Sequence, residues 1–375
     1  MAISIFNELY DVNTTILTLN NKQLTVLPES IGELIELEKL SLYGNELTVL
    51  PKSISKLVKL KKLRLDYNRL TVLPESISQL VSLEKLHLSN NQLIVLPESI
   101  GNLVRLKTLI LNNNHIKVIP ESIGNLVKLQ KLRLEYNQLT ILPESIGRLL
   151  NLKELYLRDN QLTLLPESFG KLVKLEDLHC IMNELSELPE SFGDLVSLTG
   201  LWANGNELKV IPESIGKLVN LTRLYLYDNK LTVLPESIGK LVNLTRLYLY
   251  YNQLTVLPES IGELVKLESL DLNNNRLTAL PESIGRLVNL ERFLLYNNNL
   301  RNLPTSILNI KKSLSIGIST YEIDNLLADN EILIFSELDV ELTNLPTNLK
   351  EIWIKKESKK LDHKLPFGCV VKYYE

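Results

Sequence analysis

An asparagine that recurs every 23 residues constrains this chain of 375 residues more than any other feature. The spacing holds without exception at Asn45, Asn68, Asn91, Asn114, Asn137, Asn160, Asn183, Asn206, Asn229, Asn252, Asn275 and Asn298. Proline keeps the same spacing from Pro28 to Pro304. A chain of this length would otherwise suggest roughly two or three globular domains. An internal period of about 20 to 50 residues indicates a stack of similar structural units instead.

The first half of the unit predicts a short strand followed by a turn. The full pattern reads LxxLxLxxNxLxxLPxSIGxLVx, and residues 221–243 show it clearly. The alternation of Leu224 and Leu226 places both leucines on one face of a strand. The asparagine that follows is expected to satisfy backbone groups that the turn leaves unpaired. It is also expected to stack on its equivalents in the neighbouring repeats.

The second half of the unit predicts a short helical segment. Pro235 has no amide hydrogen and suits a stretch outside the strand ladder. Ser237, Ile238 and Leu241 fit a short helical or 3-10 turn, with Gly239 limiting its length. One repeat cannot bury its apolar face alone, so its stability comes from stacking. The sequence therefore predicts an α/β solenoid. One curved parallel sheet is expected on the concave face, with short helical or 3-10 turns on the convex face.

The repeated unit resembles the leucine-rich repeat over roughly residues 14–310. Its LPESIG half is similar to the intracellular class found in Ras-binding scaffold proteins and plant Ras-group repeat proteins. The resemblance implies a leucine-rich-repeat horseshoe. It also implies binding to another protein, for which a small GTPase is one candidate.

The N-terminal end of the chain departs from the pattern. Residues 1–36 are expected to form an N-terminal cap and a degenerate first repeat, in which Lys22 takes the asparagine position. A short helix is expected to cover the exposed core with the apolar side chains of Ile3, Ile5, Phe6, Leu9 and Tyr10. Residues 37–310 then hold twelve repeats of 23 residues.

The C-terminal end is interpreted as a modified cap with shortened repeats, over residues 311–375. A Leu-Pro pair at 345–346 recurs at 365–366, a spacing shorter than that of the main repeat. This spacing resembles the FNIP-type repeats of amoebal and giant-virus proteins. Ahead of these pairs, residues 320–329 are predicted to be helical and residues 331–335 to form a strand. A separate small module is the alternative interpretation.

Composition favours a cytoplasmic protein. The net charge is −3, so no global field draws the chain to nucleic acid or to an anionic membrane. The N-terminus lacks the basic region of a signal peptide, and no apolar run approaches the about 18 residues of a membrane span. Two cysteines do not indicate a disulfide framework. Cys180 replaces a strand leucine and is expected to be a small buried hydrophobe.

The sequence offers no catalytic motif, and we therefore expect no enzyme, cofactor or metal site. It lacks a phosphate-binding loop. His87 and His179 take the same strand position four repeats apart, or about 19 Å, which is too far to share a metal ion. The glutamates of the LPESIG segments are evenly spaced and are expected to be solvated surface charges.

Outward-facing strand positions carry the candidate binding residues. Tyrosine, tryptophan and arginine, the types enriched at binding hot spots, gather in the second half of the repeats. The predicted partner-binding residues are Tyr156, Trp202, Tyr225, Tyr227, Tyr248, Tyr250, Tyr251, Tyr296, Arg223 and Arg246. In the first half, the column that flanks these positions is basic at Lys39, Lys62, Lys85 and Lys131.

Three functions fit this pattern. The leading hypothesis is a scaffold that binds a partner protein across the concave face, with a role in signal transduction. A nucleic-acid-binding solenoid is the first alternative, because lysines and tyrosines can form a stacking platform. An adaptor that recognises a substrate and recruits activity through residues 311–375 is the second. The tyrosines also have a purely structural interpretation, because cross-strand aromatic pairs stabilise a sheet without any partner.

Overall fold

The fold was examined in a computed structural model, which describes residues 2–6, 8–300, 303–310, 315–317, 332–335, 351–355 and 370–374. The chain divides into two compact units. The first unit comprises Met1–Leu185 and Asp194–Leu198. The second comprises Ser186–Gly193 and Thr199–Glu375.

The first unit carries an antiparallel hairpin and a parallel sheet. The hairpin pairs β1 (Ala2–Ile5) with β2 (Glu8–Asp11). The described strands of the parallel sheet are β3 (Ile16–Thr18), β4 (Lys39–Ser41), β5 (Lys62–Arg64), β6 (Lys85–His87), β7 (Thr108–Ile110), β8 (Lys131–Arg133), β9 (Glu154–Tyr156) and β10 (Asp177–His179). Each strand pairs with the next at a register of exactly one repeat, as in Lys39↔Lys62.

The second unit continues the same repeat. Its described strands are β11 (Gly200–Trp202), β12 (Arg223–Tyr225), β13 (Arg246–Tyr248), β14 (Ser269–Asp271), β15 (Arg292–Leu294) and β16 (Ser315–Gly317), paired in parallel in that order. A second parallel sheet contains β17 (Ile332–Phe335), β18 (Glu351–Lys355) and β19 (Val370–Tyr374). The predicted repeat architecture with its parallel strands is confirmed.

A five-residue 3-10 turn follows each proline of the repeat, as the second half of the unit predicts. The described turns are Glu29–Glu33, Lys52–Lys56, Glu75–Gln79, Glu98–Asn102, Glu121–Asn125, Glu144–Arg148, Glu167–Lys171, Glu190–Asp194, Glu213–Lys217, Glu236–Lys240, Glu259–Glu263, Glu282–Arg286 and Thr305–Asn309. Pro235 has a φ of −68° and a ψ of 149°, and its carbonyl accepts a 3.0 Å hydrogen bond from the amide of Ile238. The proline therefore sets the entry to the turn and gives it its first hydrogen bond.

The core is the leucine stripe that alternation predicts. Leu224 and Leu226 are fully buried, as are their equivalents in the neighbouring repeats. Cys180 is fully buried in the same stripe, and burial raises the pKa of its thiol to about 12. The thiol is therefore protonated at neutral pH, and the prediction of a small buried hydrophobe is confirmed.

The asparagines form a hydrogen-bonded ladder between repeats. The Asn252 amide donates to the carbonyl of Leu249 at 3.0 Å and to that of Leu226, one repeat earlier, at 2.9 Å. Its carbonyl oxygen accepts from the amide of Leu231 at 3.0 Å. The same three bonds recur at Asn68 and Asn275. Each of these asparagines thus links its own turn to the repeat before it, as predicted.

The residue before each ladder asparagine adopts a left-handed backbone conformation, which the sequence analysis did not anticipate. Its φ lies between 51° and 69° at Gly44, Tyr67, Asn90, Asn113, Tyr136, Asp159, Met182, Gly205, Asp228, Tyr251, Asn274 and Asn297. Glycine, asparagine and aspartate tolerate this conformation best and fill most of these positions. That bias is the sequence signal for the turn. The remaining positions are filled by tyrosine or methionine, whose side chains disfavour the left-handed conformation.

The glycine of each LPESIG segment lies against the next repeat. A Cβ atom on Gly239 would lie 2.5 Å from the carbonyl oxygen of Ser260. The glycine therefore permits close stacking of successive turns, a stronger constraint than the limit on turn length that the sequence suggests. The glutamates also contact the next repeat. For example, Glu213 accepts a 3.2 Å hydrogen bond from the amide of Ser237. These glutamates are exposed, as predicted, but some of them also accept hydrogen bonds from the next repeat.

The N-terminal helix predicted from the apolar residues of 1–13 is wrong. The segment forms the β1–β2 hairpin, in which Ile3 and Ile5 are buried and Leu9 is 75% exposed. Burial of two residues that are two positions apart is the pattern of a strand, whereas a helix buries residues three or four apart. The Ser30 hydroxyl donates to the carbonyl of Ser4 at 2.9 Å and ties the hairpin to the first 3-10 turn.

The regular ladder extends one strand beyond the predicted limit at residue 310. Ser315–Gly317 pairs with Arg292–Leu294 at the same register as the preceding repeats. Beyond it, Ile332 pairs with Glu351, and Glu351 pairs with Val370, so each step is shorter than in the regular repeat. The strand predicted at 331–335 is confirmed at Ile332–Phe335. The helix predicted at 320–329 and the two Leu-Pro pairs lie outside the described residues.

Candidate protein-binding face

The outward sheet side of the second unit carries a cluster of aromatic residues. We call it the aromatic face and define it as Trp202, Tyr225, Tyr227, Tyr248, Tyr250 and Tyr251 together with Arg223 and Arg246. Trp202, the two arginines, Tyr225 and Tyr248 lie on strands β11 to β13. Tyr227, Tyr250 and Tyr251 lie just after the ends of β12 and β13. The alternation that buries the leucines of each strand turns these residues away from the core, except Tyr251, which follows Tyr250 directly in a left-handed backbone conformation.

The first aromatic column runs across three strands. Trp202 pairs in register with Tyr225, and Tyr225 pairs with Tyr248. The Trp202 and Tyr225 rings meet edge to face, with centroids 5.7 Å apart and planes at 83°. The Tyr225 and Tyr248 rings are stacked at 4.7 Å, with planes at 8°. The three rings are half-buried, so they combine a fixed orientation with an accessible surface.

A second aromatic column lies two residues further along the chain. Tyr227 and Tyr250 are stacked with centroids 4.2 Å apart and planes at 9°. Tyr251 meets Tyr250 edge to face at 5.7 Å and is 58% exposed. Burial raises the pKa of Tyr250, and the neighbouring Tyr227 raises it further. The Tyr250 phenol is therefore available as a neutral hydrogen-bonding group at physiological pH.

Two arginines line the edge of the first column. The guanidinium of Arg223 lies 4.8 Å from the centroid of the Trp202 ring, within the range of a cation–π contact. A hydrogen bond with Tyr225 raises the pKa of Arg246, and this guanidinium is exposed. Arg223 and Arg246 are register partners on adjacent strands. The face thus has an apolar centre and a positively charged edge.

Asn204 adds a buried polar group that sequence reasoning passed over. The residue is only 2% exposed, and its side-chain oxygen accepts no hydrogen bond from the residues that the structure describes. It follows Trp202 by two positions and is aligned with Tyr227, because the amide of Gly205 donates to the Tyr227 carbonyl. An asparagine in an outward column is normally solvated, so the residue type alone carries no signal of this burial.

Tyr296 lies apart from the cluster. It follows β15, whereas the other tyrosines of its column lie beside β12 and β13. Asp271 and Asn273 take the intervening outward positions around β14, and burial raises the pKa of Asp271. The backbone amide of Tyr296 donates to the side chain of Asn273 at 2.7 Å. The structure therefore separates this predicted site residue from Tyr250 by a polar strand.

Tyr156 belongs to the first unit and has its own neighbours there. Its ring lies 4.6 Å from that of His179, and the cationic groups of Lys131 and Arg133 each lie 5.2 Å from its centroid. Its hydroxyl donates to Glu154 at 2.9 Å. Burial and this hydrogen bond raise the pKa of Tyr156 to about 12. The residue is thus part of a separate charged network.

The described part of the chain contains no group of three or more His, Cys, Asp or Glu side chains arranged to hold a metal ion. Among the same residues, the helices are short 3-10 turns, and none has the length and apolar character needed to cross a bilayer.

Comparison of the sequence with known families gives a direct assignment. The family described as "Leucine rich repeat" matches residues 12–70, 36–93, 204–254, 219–277 and 243–300. The family described as "Leucine-rich repeat region" matches residues 92–201. These matches leave little of residues 12–300 uncovered, so the chain belongs to the leucine-rich repeat family. No curated protein sequence matches it.

Solved structures with the same fold support the assignment. A leucine-rich repeat protein of Leptospira interrogans is 39% identical, with a TM-score of 0.64 over 80% of this chain and 82% of that chain. The Arabidopsis receptor kinase HAESA, solved in complex with the peptide hormone IDA and the co-receptor SERK1, is 28% identical. Its TM-score is 0.65 over 88% of this chain and 60% of that chain. An internalin of Listeria monocytogenes shares the fold at 21% identity, with a TM-score of 0.68 over 83% and 89% of the two chains.

Proposed function

We propose that this protein is a non-catalytic scaffold that binds a partner protein across the aromatic face. The observation that carries the proposal is the pair of stacked tyrosine columns beside charged arginines. Tyrosine, tryptophan and arginine dominate the binding energy of protein interfaces, because each combines a large contact area with a polar group. On this face their rings are half-buried and held by one another.

Rigid side chains favour binding because they lose little conformational freedom when a partner docks. Tyr225 and Tyr248 already hold each other in the unbound chain, as do Tyr227 and Tyr250. The face thus offers apolar contact area and positive charge.

The known structures agree with this kind of function. HAESA is described in complex with a peptide hormone and a co-receptor, so a protein of the same fold binds polypeptides. FLRT2, which is 25% identical with a TM-score of 0.59, is described in an octameric complex with Latrophilin 3 and Unc5D. We extend this general property to the present chain. The finer parts of the proposal are a cytoplasmic location, a role in signalling and a small GTPase as one candidate partner. These parts rest on the resemblance of the LPESIG repeats to Ras-binding scaffold proteins.

The proposal also includes a role for the C-terminal residues and two partner contacts outside the aromatic face. Residues 311–375 are proposed to serve as a modified C-terminal cap, with repeats shortened as in FNIP-type proteins. The shortened step between β17, β18 and β19 supports this interpretation. Tyr156 and Tyr296 are retained as proposed partner contacts, although each lies outside the aromatic face.

An affinity capture from the native host cell tests the proposal. The bait is the full chain, compared with a triple variant that carries Trp202→Ala, Tyr225→Ala and Tyr248→Ala. A control variant removes three tyrosines from the first unit, with Tyr43→Ala, Tyr67→Ala and Tyr136→Ala. All three baits are checked for folding by circular dichroism and thermal melting before use.

The expected result is a protein that is captured by the wild type and the control variant and lost from the triple variant. Its affinity, measured with the purified partner, is expected to fall at least about tenfold in the triple variant. An unchanged set of captured proteins contradicts the proposal and assigns the tyrosines to sheet stability. Capture of nucleic acid with a steep dependence on salt favours the alternative of a nucleic-acid-binding solenoid.

A further inference from the structure

Three lysines of the first unit are stacked on adjacent strands. Lys39 pairs in register with Lys62, and Lys62 pairs with Lys85, so the three residues occupy the same position of β4, β5 and β6. We call them the lysine ladder. Neighbouring strands lie about 4.8 Å apart, and like charges directly opposite each other destabilise a sheet. This arrangement is unfavourable for the isolated chain.

Several other lysines of the first unit form ion pairs with carboxylates of the chain. Ion pairs of 2.5–2.9 Å join Lys59 to Glu36, Lys61 to Glu38, Lys107 to Glu84 and Lys131 to Glu154. No such pair involves a ladder lysine among the described residues. Lys131 occupies the same strand position as the ladder lysines and faces Glu154 as its register partner. The repeat can therefore place a carboxylate beside this position, but it does not do so on β4 to β6.

A shallow cavity of about 310 Å³ lies next to the ladder on the same sheet side. Its lining includes Arg64, His87, Ile110 and Arg133. Arg64 is held at 2.9 Å by Asp66, which is almost fully buried. The arginines of the cavity are thus fixed and locally neutralised, because Arg133 is paired in the same way with its own buried carboxylate. The excess positive charge of this surface lies on the ladder.

We propose that the lysine ladder and this cavity form a second binding surface, which takes an extended acidic segment of a polypeptide. Lys39 and Lys85 are separated by two strand spacings, or roughly 10 Å, which an extended chain covers in about three residues. Acidic side chains two or three positions apart, or about 7–10 Å, can therefore contact the two outer lysines of the ladder. Where the segment continues past β6 to β7, a small side chain can enter the cavity beside Ile110.

The buried carboxylates favour a polypeptide over nucleic acid. Asp66 and Glu135 lie on this sheet side and are about 5% exposed. Each neutralises the arginine beside it, so neither arginine adds free positive charge for a phosphate backbone, which carries a negative charge on every nucleotide. A peptide can place its acidic residues on the ladder and neutral residues over the carboxylates. This proposal concerns a different unit from the aromatic face and does not depend on it.

Fluorescence anisotropy with the full chain tests the proposal. The probe is a labelled peptide of alternating glutamate and serine, about 12 residues long at about 3.3 Å per residue, so that it extends past all three strands. The same peptide with glutamine in place of glutamate is the neutral control. An oligothymidylate of similar length is the nucleic-acid probe.

Two variants that remove equal charge are compared. The ladder variant carries Lys39→Gln, Lys62→Gln and Lys85→Gln. The control variant carries Lys56→Gln, Lys117→Gln and Lys128→Gln, which are exposed positions elsewhere in the first unit. Thermal melting of both variants shows that each is folded, and the ladder variant is expected to be at least as stable as the wild type because repulsion is relieved.

The expected result is binding of the acidic peptide that weakens about fivefold or more in the ladder variant and less than about twofold in the control variant. The neutral peptide is expected not to bind. The proposal is overturned if the acidic peptide does not bind or if both variants weaken its binding equally. Tighter, ladder-dependent binding of the oligothymidylate also overturns it, in favour of a nucleic-acid surface.

Discussion

The rings of Tyr225 and Tyr248 lie 4.7 Å apart and within 8° of parallel, on two adjacent strands of the second unit. The contact follows from the register, because the two residues occupy the same position of consecutive repeats. It exists in the unbound chain. Replacement of either tyrosine therefore affects stability as well as any partner, and the two effects have to be measured separately.

A double-mutant cycle on Tyr225→Ala and Tyr248→Ala measures the stability part. We expect a coupling free energy of about 0.5–1.5 kcal/mol in urea unfolding, because stacked aromatic pairs contribute this much beyond the area that they bury. A cycle on Tyr225, which lies on β12, and Tyr296, which follows β15, serves as the control and is expected to show almost no coupling. Equal coupling in both cycles would contradict a direct ring contact.

Substitution of a ladder asparagine is expected to destabilise the repeat. Asn252→Ala removes the ladder bonds and leaves the amide of Leu231 without its acceptor, whereas the carbonyl of Leu226 still accepts from Asn229. The free energy of unfolding should fall by about 1–3 kcal/mol. Asn299→Ala, at an exposed position outside the ladder, should change it by less than about 0.5 kcal/mol. An Asn252 variant as stable as the Asn299 variant would show that the ladder bonds contribute little.

Close stacking of the turns predicts a penalty for any side chain at Gly239. Gly239→Ala places a methyl group 2.5 Å from the Ser260 carbonyl oxygen and should lower the free energy of unfolding by about 1–3 kcal/mol. Ser55 occupies the equivalent position of an earlier repeat and already carries a Cβ atom. Ser55→Ala, measured by the same urea titration, is the matched control and should have a small effect. A neutral Gly239→Ala variant would mean that the turns can separate without cost.

Charge removal at two equivalent lysines should have opposite effects on stability. Lys62→Gln relieves repulsion from Lys39 and Lys85 and should raise the free energy of unfolding by about 0.2–1 kcal/mol. Lys131→Gln breaks the 2.5 Å ion pair with Glu154 and should lower it by about 0.2–1 kcal/mol. Unfolding at low and high salt checks the cause, since screening should shrink both changes. Changes of the same sign would contradict this account of the lysine ladder.

Stability should depend on pH through His87. Burial lowers its pKa below the usual 6.5, Lys62, Arg64 and Lys85 lower it further, and Asp66 opposes them. The unfolded chain therefore takes up the proton at a higher pH than the folded chain. His87 contributes stability that is present above about pH 6.5 and is lost as the pH falls toward the lower pKa of the folded state. Urea unfolding across this range should show a steeper loss for the wild type than for His87→Gln. If the free energy of unfolding fell equally with pH in the wild type and in His87→Gln, His87 would not be the source of the pH dependence.

Much of the repeat could be predicted because each of its positions has one dominant requirement. Leu224 and Leu226 alternate, Pro235 cannot donate to a ladder, and an asparagine such as Asn252 has the donors and acceptor that its turn needs. Each repeat needs the same residue types at these positions, so the same sequence pattern recurs along the chain. Cys180 was assigned to the core for the same reason, since it occupies a leucine position.

The features that were missed depend on neighbours that the pattern does not specify. The N-terminal hairpin buries Ile3 and Ile5 against a chain end, where the repeat gives no template. The strand at Ser315–Gly317 keeps the regular register but lacks the leucine and asparagine that mark the others. Asn204 looks like a surface residue until its burial is known. Whether the aromatic face binds a partner depends on a second molecule, and the pattern of one chain does not specify it.

The asparagine ladder also limits how the length of this protein can change. Within a unit, a ladder asparagine such as Asn252 donates to a carbonyl 26 residues earlier, that of Leu226, and accepts from an amide 21 residues earlier, that of Leu231. An insertion or deletion of part of a repeat between two rungs misaligns both bonds, whereas one of a complete repeat restores them. Whole repeats can therefore be added, lost or exchanged as interchangeable parts. The near-identity of the units that begin at Leu221 and Leu244 is the mark of such a copying event.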